Sequence, residues 1–265
     1  SLVSRVKVLD VAPDSGPTPT YNKIRPGVVW STTDGTACVT IPTASGGVAG
    51  IDRKDDGTTP LMTIGEVFAE VCKRKGEKIA MCVERPCPAM TVDKKALPVL
   101  PLDQWKKWTY REYYNETFAA AKGMIELGLK RHDSVNIYGF NSPEWFMAEL
   151  GAILSGGKAA GIYPSDTVDQ VCFKSKHSGA AIACVQGVSE YNTFAHKIDE
   201  LYKLKAIVIW SYDGAHDETL KRSDGSEVKV MTWNALVKLG QGASDKKIKA
   251  ALADQKPGHC CALVY

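Results

Sequence analysis

The chain has 265 residues, of which 44% are hydrophobic and 24% charged, and its net charge at neutral pH is +3. That balance excludes a disordered polypeptide, and a chain of this length can bury roughly 70–75% of its unfolded surface. No Lys/Arg cluster is interleaved with aromatic residues in the way a nucleic-acid groove requires, and no stretch approaches the ~20 apolar residues of a membrane span. Neither nucleic acid as partner nor a transmembrane segment is therefore expected.

The chain opens on Ser1–Gly16, which has no apolar block of the ~7–15 residues that a secretory signal needs. Residues 1–60 are rich in Pro, Gly, Thr and Asp and read as an extension laid over a larger body. They hold one hairpin signal: Val28 to Thr32 and Ala37 to Ile41 are β-prone runs separated by Asp34-Gly35. The glycine run Gly46 to Gly50 reads as a loop and not a phosphate site, because no strand leads into it and no helix follows.

Residues 61–265 form the second unit. Thr63 with Glu66 has capping-box spacing, so a helix starts there and ends before Gly76. Ile79 to Glu84 and the residues around Trp105 to Thr109 are short strands. Thr109 with Glu112 opens a second helix whose Tyr110, Tyr114, Phe118, Ala121, Ile125 and Leu127 lie on or near one face. Leu127-Gly128-Leu129 is a Schellman-type stop. An Asn-x-Thr glycosylation sequon, Asn115 to Thr117, falls inside that helix and is read as unused.

From Ser134 onward strands and helices alternate. Ser134 to Phe140, Ala159 to Tyr163, Ala181 to Val185, Ala206 to Trp210, Val228 to Met231 and Cys260 to Tyr265 are the predicted strands. Helices are predicted near 143–155, 166–178, 189–203, 233–239 and 245–254. The middle strands read as continuous apolar runs, the pattern of strands covered on both faces. The expected fold is α/β: a doubly wound, mostly parallel sheet flanked by helices, with the N-terminal hairpin as an extension.

Asn141-Ser142-Pro143-Glu144 is a helix start, with Asn141 and Glu144 at capping-box spacing and Pro143 in the first turn. Glu149 is the only charge beyond it in an otherwise apolar core helix. Gly156, Gly157 and Gly161 come in the order helix, glycines, strand, the reverse of a dinucleotide fingerprint, and so read as a helix stop and tight turn.

No catalytic set assembles: there is no G-x-S-x-G, H-E-x-x-H or G-x-x-x-x-G-K-[ST], and no catalytic or metal-binding residue is assigned. The histidines at 132, 177, 196, 216 and 259 are scattered among charged and turn residues, with His177 placed to act as a cation at a helix C-terminus. The eight cysteines, at 38, 72, 82, 87, 172, 184, 260 and 261, contain no C-x-x-C pair and mostly sit in apolar runs. This usage points to a reducing compartment, hence a cytoplasmic protein; peripheral contact with intracellular membranes is left open.

Pro257 to Tyr265 is a turn followed by a buried-type strand with no cap or polar tail after it, and the chain starts without methionine, so the sequence reads as a fragment. Several pieces taken together carry a resemblance: Leu127-Gly128-Leu129, Asp133-Ser134-Val135, Asn141 to Trp145, Gly151-Ala152, Gly156-Gly157, Tyr163-Pro164 and Ser178-Gly179-Ala180. As a set, over about residues 60 to 265, they resemble the N-terminal part of AMP-forming acyl-CoA synthetases of the adenylate-forming superfamily. Lys107 to Tyr114 and Gly139 to Phe146 are similar to the bubblegum-type long-chain fatty-acid synthetases.

The resemblance implies, for a full-length enzyme, a ligase that uses ATP, Mg²⁺ and CoA to convert a fatty acid through acyl-AMP into acyl-CoA. It also implies that the phosphate loop follows Tyr265, so the fragment by itself is expected to be inactive and to hold no cofactor tightly. Ligands of open α/β sheets bind beyond the carboxyl ends of strands. That rule points at Tyr163-Pro164-Ser165 and Gln186-Gly187-Val188-Ser189, whose comparable loops in acetyl-CoA synthetases approach the CoA nucleotide. With Tyr265 leading into the implied phosphate loop, Tyr163, Pro164, Ser165, Ser189 and Tyr265 are the candidate cofactor-binding residues, although the arginine expected near Ser189 is missing. Two other readings stay open: a self-contained flavodoxin-like module that binds a nucleotide or lipid without turnover, and a different chemistry within the same superfamily.

Overall fold

The computed structural model describes residues 62–85, 99–211, 217–256 and 259–265, with the backbone of 29–31 and 38–40. Strands β1 (Val29–Ser31) and β2 (Cys38–Thr40) pair antiparallel, with Trp30 opposite Val39, where the Asp34-Gly35 signal places a hairpin. The Gly46 to Gly50 loop and the rest of the proposed extension lie outside the described residues.

Helix α1 (Ile64–Lys75) begins on the predicted capping box: the Thr63 hydroxyl accepts from the Glu66 amide at 3.2 Å, and the Glu66 carboxylate accepts from the Thr63 amide at 2.7 Å. Strand β3 (Ile79–Val83) pairs antiparallel with β4 (Lys106–Thr109), and Thr109 then caps α2 (Tyr110–Glu126) in the same manner as Thr63. The Leu127-Gly128-Leu129 stop closes as expected, with Gly128 at φ 92° and the Leu129 amide donating to the Met124 carbonyl at 3.0 Å. The sequon lies inside α2 with Thr117 fully buried.

The alternating region follows: β5 (Ser134–Tyr138), α3 (Pro143–Leu154), β6 (Lys158–Ile162), α4 (Val168–Ser178), β7 (Ala180–Val185), α5 (Val188–His196), β8 (Ala206–Ile209), β9 (Glu218–Lys221), β10 (Glu227–Thr232), α6 (Trp233–Gly242), α7 (Lys246–Ala253) and β11 (Ala262–Leu263). Seven of these strands make one sheet in the order β11-β6-β5-β7-β8-β10-β9. All neighbours are parallel except β9, which runs antiparallel to β10 on the edge. The expected doubly wound, mostly parallel sheet is present.

Alternation along the strands divides the interior in two. Val135, Ile137, Ile182, Val208 and Met231 face a core that includes Met124, Met147, Trp233 and Leu236 from α2, α3 and α6. Tyr138, Ala183, Val185, Ile207 and Val230 face Val171, Cys172 and Phe194 from α4 and α5. Helices α1 and α7 form an outer layer, where Phe68, Ile248 and Leu252 pack with Phe118, Ile125 and Leu154.

Several sequence expectations are corrected. The cap of α3 is Ser142, whose hydroxyl accepts from the Trp145 amide at 3.2 Å, and not Asn141; Glu144 turns instead to Arg85 at 3.0 Å. The central strand β5 is not a continuous apolar run. Asn136 is fully buried in it, donating to the Ala160 carbonyl and accepting from the Ser175 hydroxyl, while Ser134 donates to the Ser178 carbonyl at 2.8 Å. The helix expected over 189–203 ends at His196, followed by a short 3₁₀ turn over Ile198–Glu200.

Strand β9 is not among the predicted strands, although Asp224-Gly225 is the same hairpin signal as Asp34-Gly35. Gly225 takes φ 84°, and the Arg222 amide bonds the Ser226 carbonyl at 2.9 Å across the turn. The Arg222 guanidinium is buried beneath it and donates to the carbonyls of Ile198, Leu201 and Leu204.

Helices α2 and α6 approach closely enough that their backbones touch. A Cβ on Gly240 would lie 1.7 Å from the Ala119 carbonyl oxygen, and one on Gly123 would lie 2.5 Å from that of Leu236. Glu116 seals the same contact, accepting from the indoles of Trp108 and Trp233 at 2.8 Å each. Gly240→Ala should therefore force the helices apart and cost about 2–3 kcal/mol or more. Gly242→Ala, at the exposed end of α6 with nothing within 4 Å, should instead gain ~0.4–1 kcal/mol. Urea unfolding of the two variants, with midpoints moving in opposite directions, checks both.

Candidate functional site

Strand β6 pairs on one side of β5 and β7 on the other, so the connections reverse direction at β5. In a sheet wound in this order a ligand crevice opens between the carboxyl ends of β5 and β7. Here that crevice is closed. The Gln186 side-chain oxygen accepts from the Phe140 amide at 2.7 Å, and the Gln186 backbone amide donates to the Tyr138 carbonyl at 2.9 Å. Gly139 is pressed so tightly behind it that a Cβ would come within 2.5 Å of Gln186 and 2.8 Å of the Trp210 ring.

The open space lies one strand over. Beyond the carboxyl ends of β5, β6 and β11 runs a groove of about 480 Å³, walled by the turn Gly139 to Asn141, by Trp145 and Glu149 of α3, by Gly161 to Pro164, and by Ala262 to Tyr265. Its wall is aromatic, and much of it faces water: Phe140 is 69% exposed and Tyr163 60%. A concave apolar wall with a few polar groups is the usual form of a small-molecule site.

Tyr163 and Tyr265 are tied together from below by α4. The Lys174 ammonium, buried and ion-paired with Asp166, sits 5.3 Å from the centre of the Tyr163 ring and 5.7 Å from that of Tyr265. Asp166 also accepts from the Tyr163 amide at 3.1 Å. The Tyr265 hydroxyl lies 2.9 Å from Nδ1 of His177, whose ring packs edge-on against the tyrosine, and burial pushes the Tyr265 phenol pKa up. His177 does stand in the last turn of α4, as read from the sequence.

Of the five candidate residues, then, Tyr163, Pro164 and Tyr265 line one groove. Ser165 is exposed in the turn between Pro164 and α4 and does not line it. Ser189 is exposed in the first turn of α5, beyond β7, with β5 between its strand and that of Tyr163; its carbonyl accepts from the Thr193 hydroxyl at 3.3 Å. Sequence reasoning missed Phe140, Trp145, Glu149 and Lys174. Glu149 carried a signal, as the single charge in an apolar helix; Lys174, one lysine among several on α4, carried none.

Among the described residues no group of three or more His, Cys, Asp and Glu could hold a metal ion. Nor is any helix there long and apolar enough to cross a membrane. The buried thiols are poor nucleophiles: burial raises Cys72 to about 11 and Cys184 to about 12.

A family model described as AMP-binding enzyme matches residues 68–265. The chain is 31% identical over 215 residues to the long-chain-fatty-acid–CoA ligase ACSBG2 of Xenopus laevis, covering 81% of this chain and 26% of that protein. It is 32% identical over 163 residues to the long-chain-fatty-acid–CoA ligase ACSBG1 of Mus musculus, covering 62% and 21%. Among solved structures, the A domain of carboxylic acid reductase from Segniliparus rugosus, in complex with AMP and a co-purified carboxylic acid, superposes with a TM-score of 0.55 at 14% identity, over 71% of this chain and 31% of that one. That likeness is one of fold. The chain thus spans about a quarter of the length of the curated relatives it matches.

Glu149 gives the groove a measurable signature. Desolvation raises its pKa, so the fold favours the neutral acid. The stabilisation is complete below the unfolded value of about 4.3 and is lost as the pH rises through the higher folded value. Glu149→Gln should therefore unfold at higher urea than the parent at pH 7, with the difference gone near pH 4. An equal or lower midpoint at pH 7 would show that the carboxylate is compensated.

Proposed function

The chain belongs to the AMP-binding enzyme family, and from that premise we propose that it is the N-terminal part of a long-chain fatty-acid:CoA ligase. In the complete protein a fatty carboxylate oxygen attacks the α-phosphorus of ATP and pyrophosphate leaves. The thiol sulfur of CoA then attacks the acyl carbon of the acyl-AMP and AMP departs. The observation that carries this reading is the family match over residues 68–265, with bubblegum-type ligases of two vertebrates about one-third identical to the chain.

The geometry agrees with a supporting role for this portion. Acyl transfer through an adenylate needs phosphate charge neutralised by backbone amides, a cation and Mg²⁺. Among the described residues no group of three or more His, Cys, Asp and Glu could hold a metal ion. What they offer is one wall of a crevice: an aromatic groove, and an apolar rim of Phe140, Phe146, Tyr163 and Val264 that a second subdomain would cover. Tyr265, the last strand's neighbour in that wall, is anchored to His177 and Lys174. A self-contained flavodoxin-like module is disfavoured, because the crevice it would use between β5 and β7 is filled by Gln186.

The complete gene product should catalyse ATP–pyrophosphate exchange dependent on a long-chain fatty acid, whereas residues 1–265 alone should not. Absence of exchange with every acid in a chain-length series defeats the ligase reading, and exchange by the 265-residue chain alone defeats the supporting role. For the CoA part of the proposal, Ser165→Trp, in the exposed turn next to the groove-lining Pro164, should raise the KM for CoA in the complete enzyme; unchanged CoA affinity ends it.

A further inference from the structure

At the opposite end of the sheet, before the amino ends of β5, β6 and β11, the outer helices leave a second and larger hollow of about 970 Å³. Val67 and Phe68 of α1, Ile125 of α2, Leu129 in the turn after it, Ile153 of α3 and Ala251 of α7 make its walls apolar. Two apolar side chains at its mouth, Ile64 and Val67, are 45% and 46% exposed, a cost that an apolar ligand would remove. The volume falls at the upper end of the ~300–1,000 Å³ range of small-molecule sites.

The polar groups of this hollow gather mainly in one basic corner. Arg131 pairs there with Asp254 at 2.6 Å, the rings of His132 and His259 meet edge-on at 5.6 Å, and the Lys256 amide donates to His259. Arg131 is thus held by Asp254, and the other lining lysine, Lys247, by Glu126 at 2.9 Å. The Lys256 ammonium has no ion-pair partner among the described residues. Polarity confined in this way suits a ligand with one anionic end and one apolar tail. A peptide would need hydrogen-bonding groups spread along its backbone, and a bilayer would meet a protruding face and not a hollow.

We propose that this hollow is a binding site for a long-chain carboxylate, its head at Lys256 and its tail along Ile153, Leu129 and Phe68, separate from the groove at the other end of the sheet. The site rests on the chemistry of its own lining and stands or falls apart from the ligase reading.

The test is photo-crosslinking of the complete gene product with a diazirine-bearing palmitate, in the absence of vesicles, and mapping of the labelled peptides by mass spectrometry. Label is expected in α1 and α7. It should fall by about threefold in Lys256→Glu, the scale of one exposed ion pair, and more in Val67→Trp, which fills the mouth. Both substitutions are on exposed side chains, and both should leave ATP–pyrophosphate exchange as it is in the parent. Labelling confined to other peptides, or unaffected by Val67→Trp, overturns the proposal. So does label in α1 and α7 that appears only with phosphatidylglycerol vesicles, which would make the surface a membrane contact. Label that appears only after deletion of residues 1–61 also overturns it, since the occupant would then be the chain itself.

Discussion

The arrangement at the carboxyl end of the sheet depends on the contact of Gly139 with Gln186 and Trp210. Because no side chain projects from Gly139, the turn after β5 can lie flat against the end of β7, and Gln186 can bond both the Tyr138 carbonyl and the Phe140 amide. That closes the place where a sheet of this winding ordinarily takes its ligand. It also turns Phe140 and the start of α3 toward β6 and β11, where the aromatic groove opens. One missing Cβ thus decides which side of β5 is available to a small molecule.

The two faces of the sheet are covered by different means. On the side of α2, α3 and α6 the fit comes from small residues and from Glu116, which holds two buried indoles at once. On the side of α4 and α5, apolar packing is joined by the buried amide and hydroxyls of Asn136, Ser134, Ser175 and Ser178. A hydrophobic contact tolerates sliding; a set of mutually satisfied hydrogen bonds in a dry interior does not.

Much of the fold was legible from local chemistry. Thr63 and Thr109 announce their helices through the glutamate three residues on, and Gly128 and Gly156 stop theirs with positive φ. Where reading failed, tertiary partners had overridden local preference: Glu144 left Asn141 for Arg85, and Asn136 is tolerated in a buried strand only because Ser175 and Ser178 meet it. The groove was half legible. The rule about strand ends reaches Tyr163 and Pro164, which line the groove, and equally Ser189, which stands beyond β7 with β5 between. Lys174 could not be found, since a cation beneath two rings is visible only once α4 is seated under β6 and β11.

That seating has a further meaning for Tyr163 and Tyr265. Asn136 admits a single angular setting of α4, because a rotation or a one-residue slip would strand an amide and two hydroxyls in an oil-like interior. The Lys174 ammonium and the His177 imidazole ride on the same rigid rod. The spacing of the two tyrosine rings is therefore governed from a buried carboxamide on the neighbouring strand, well away from any surface a ligand could touch.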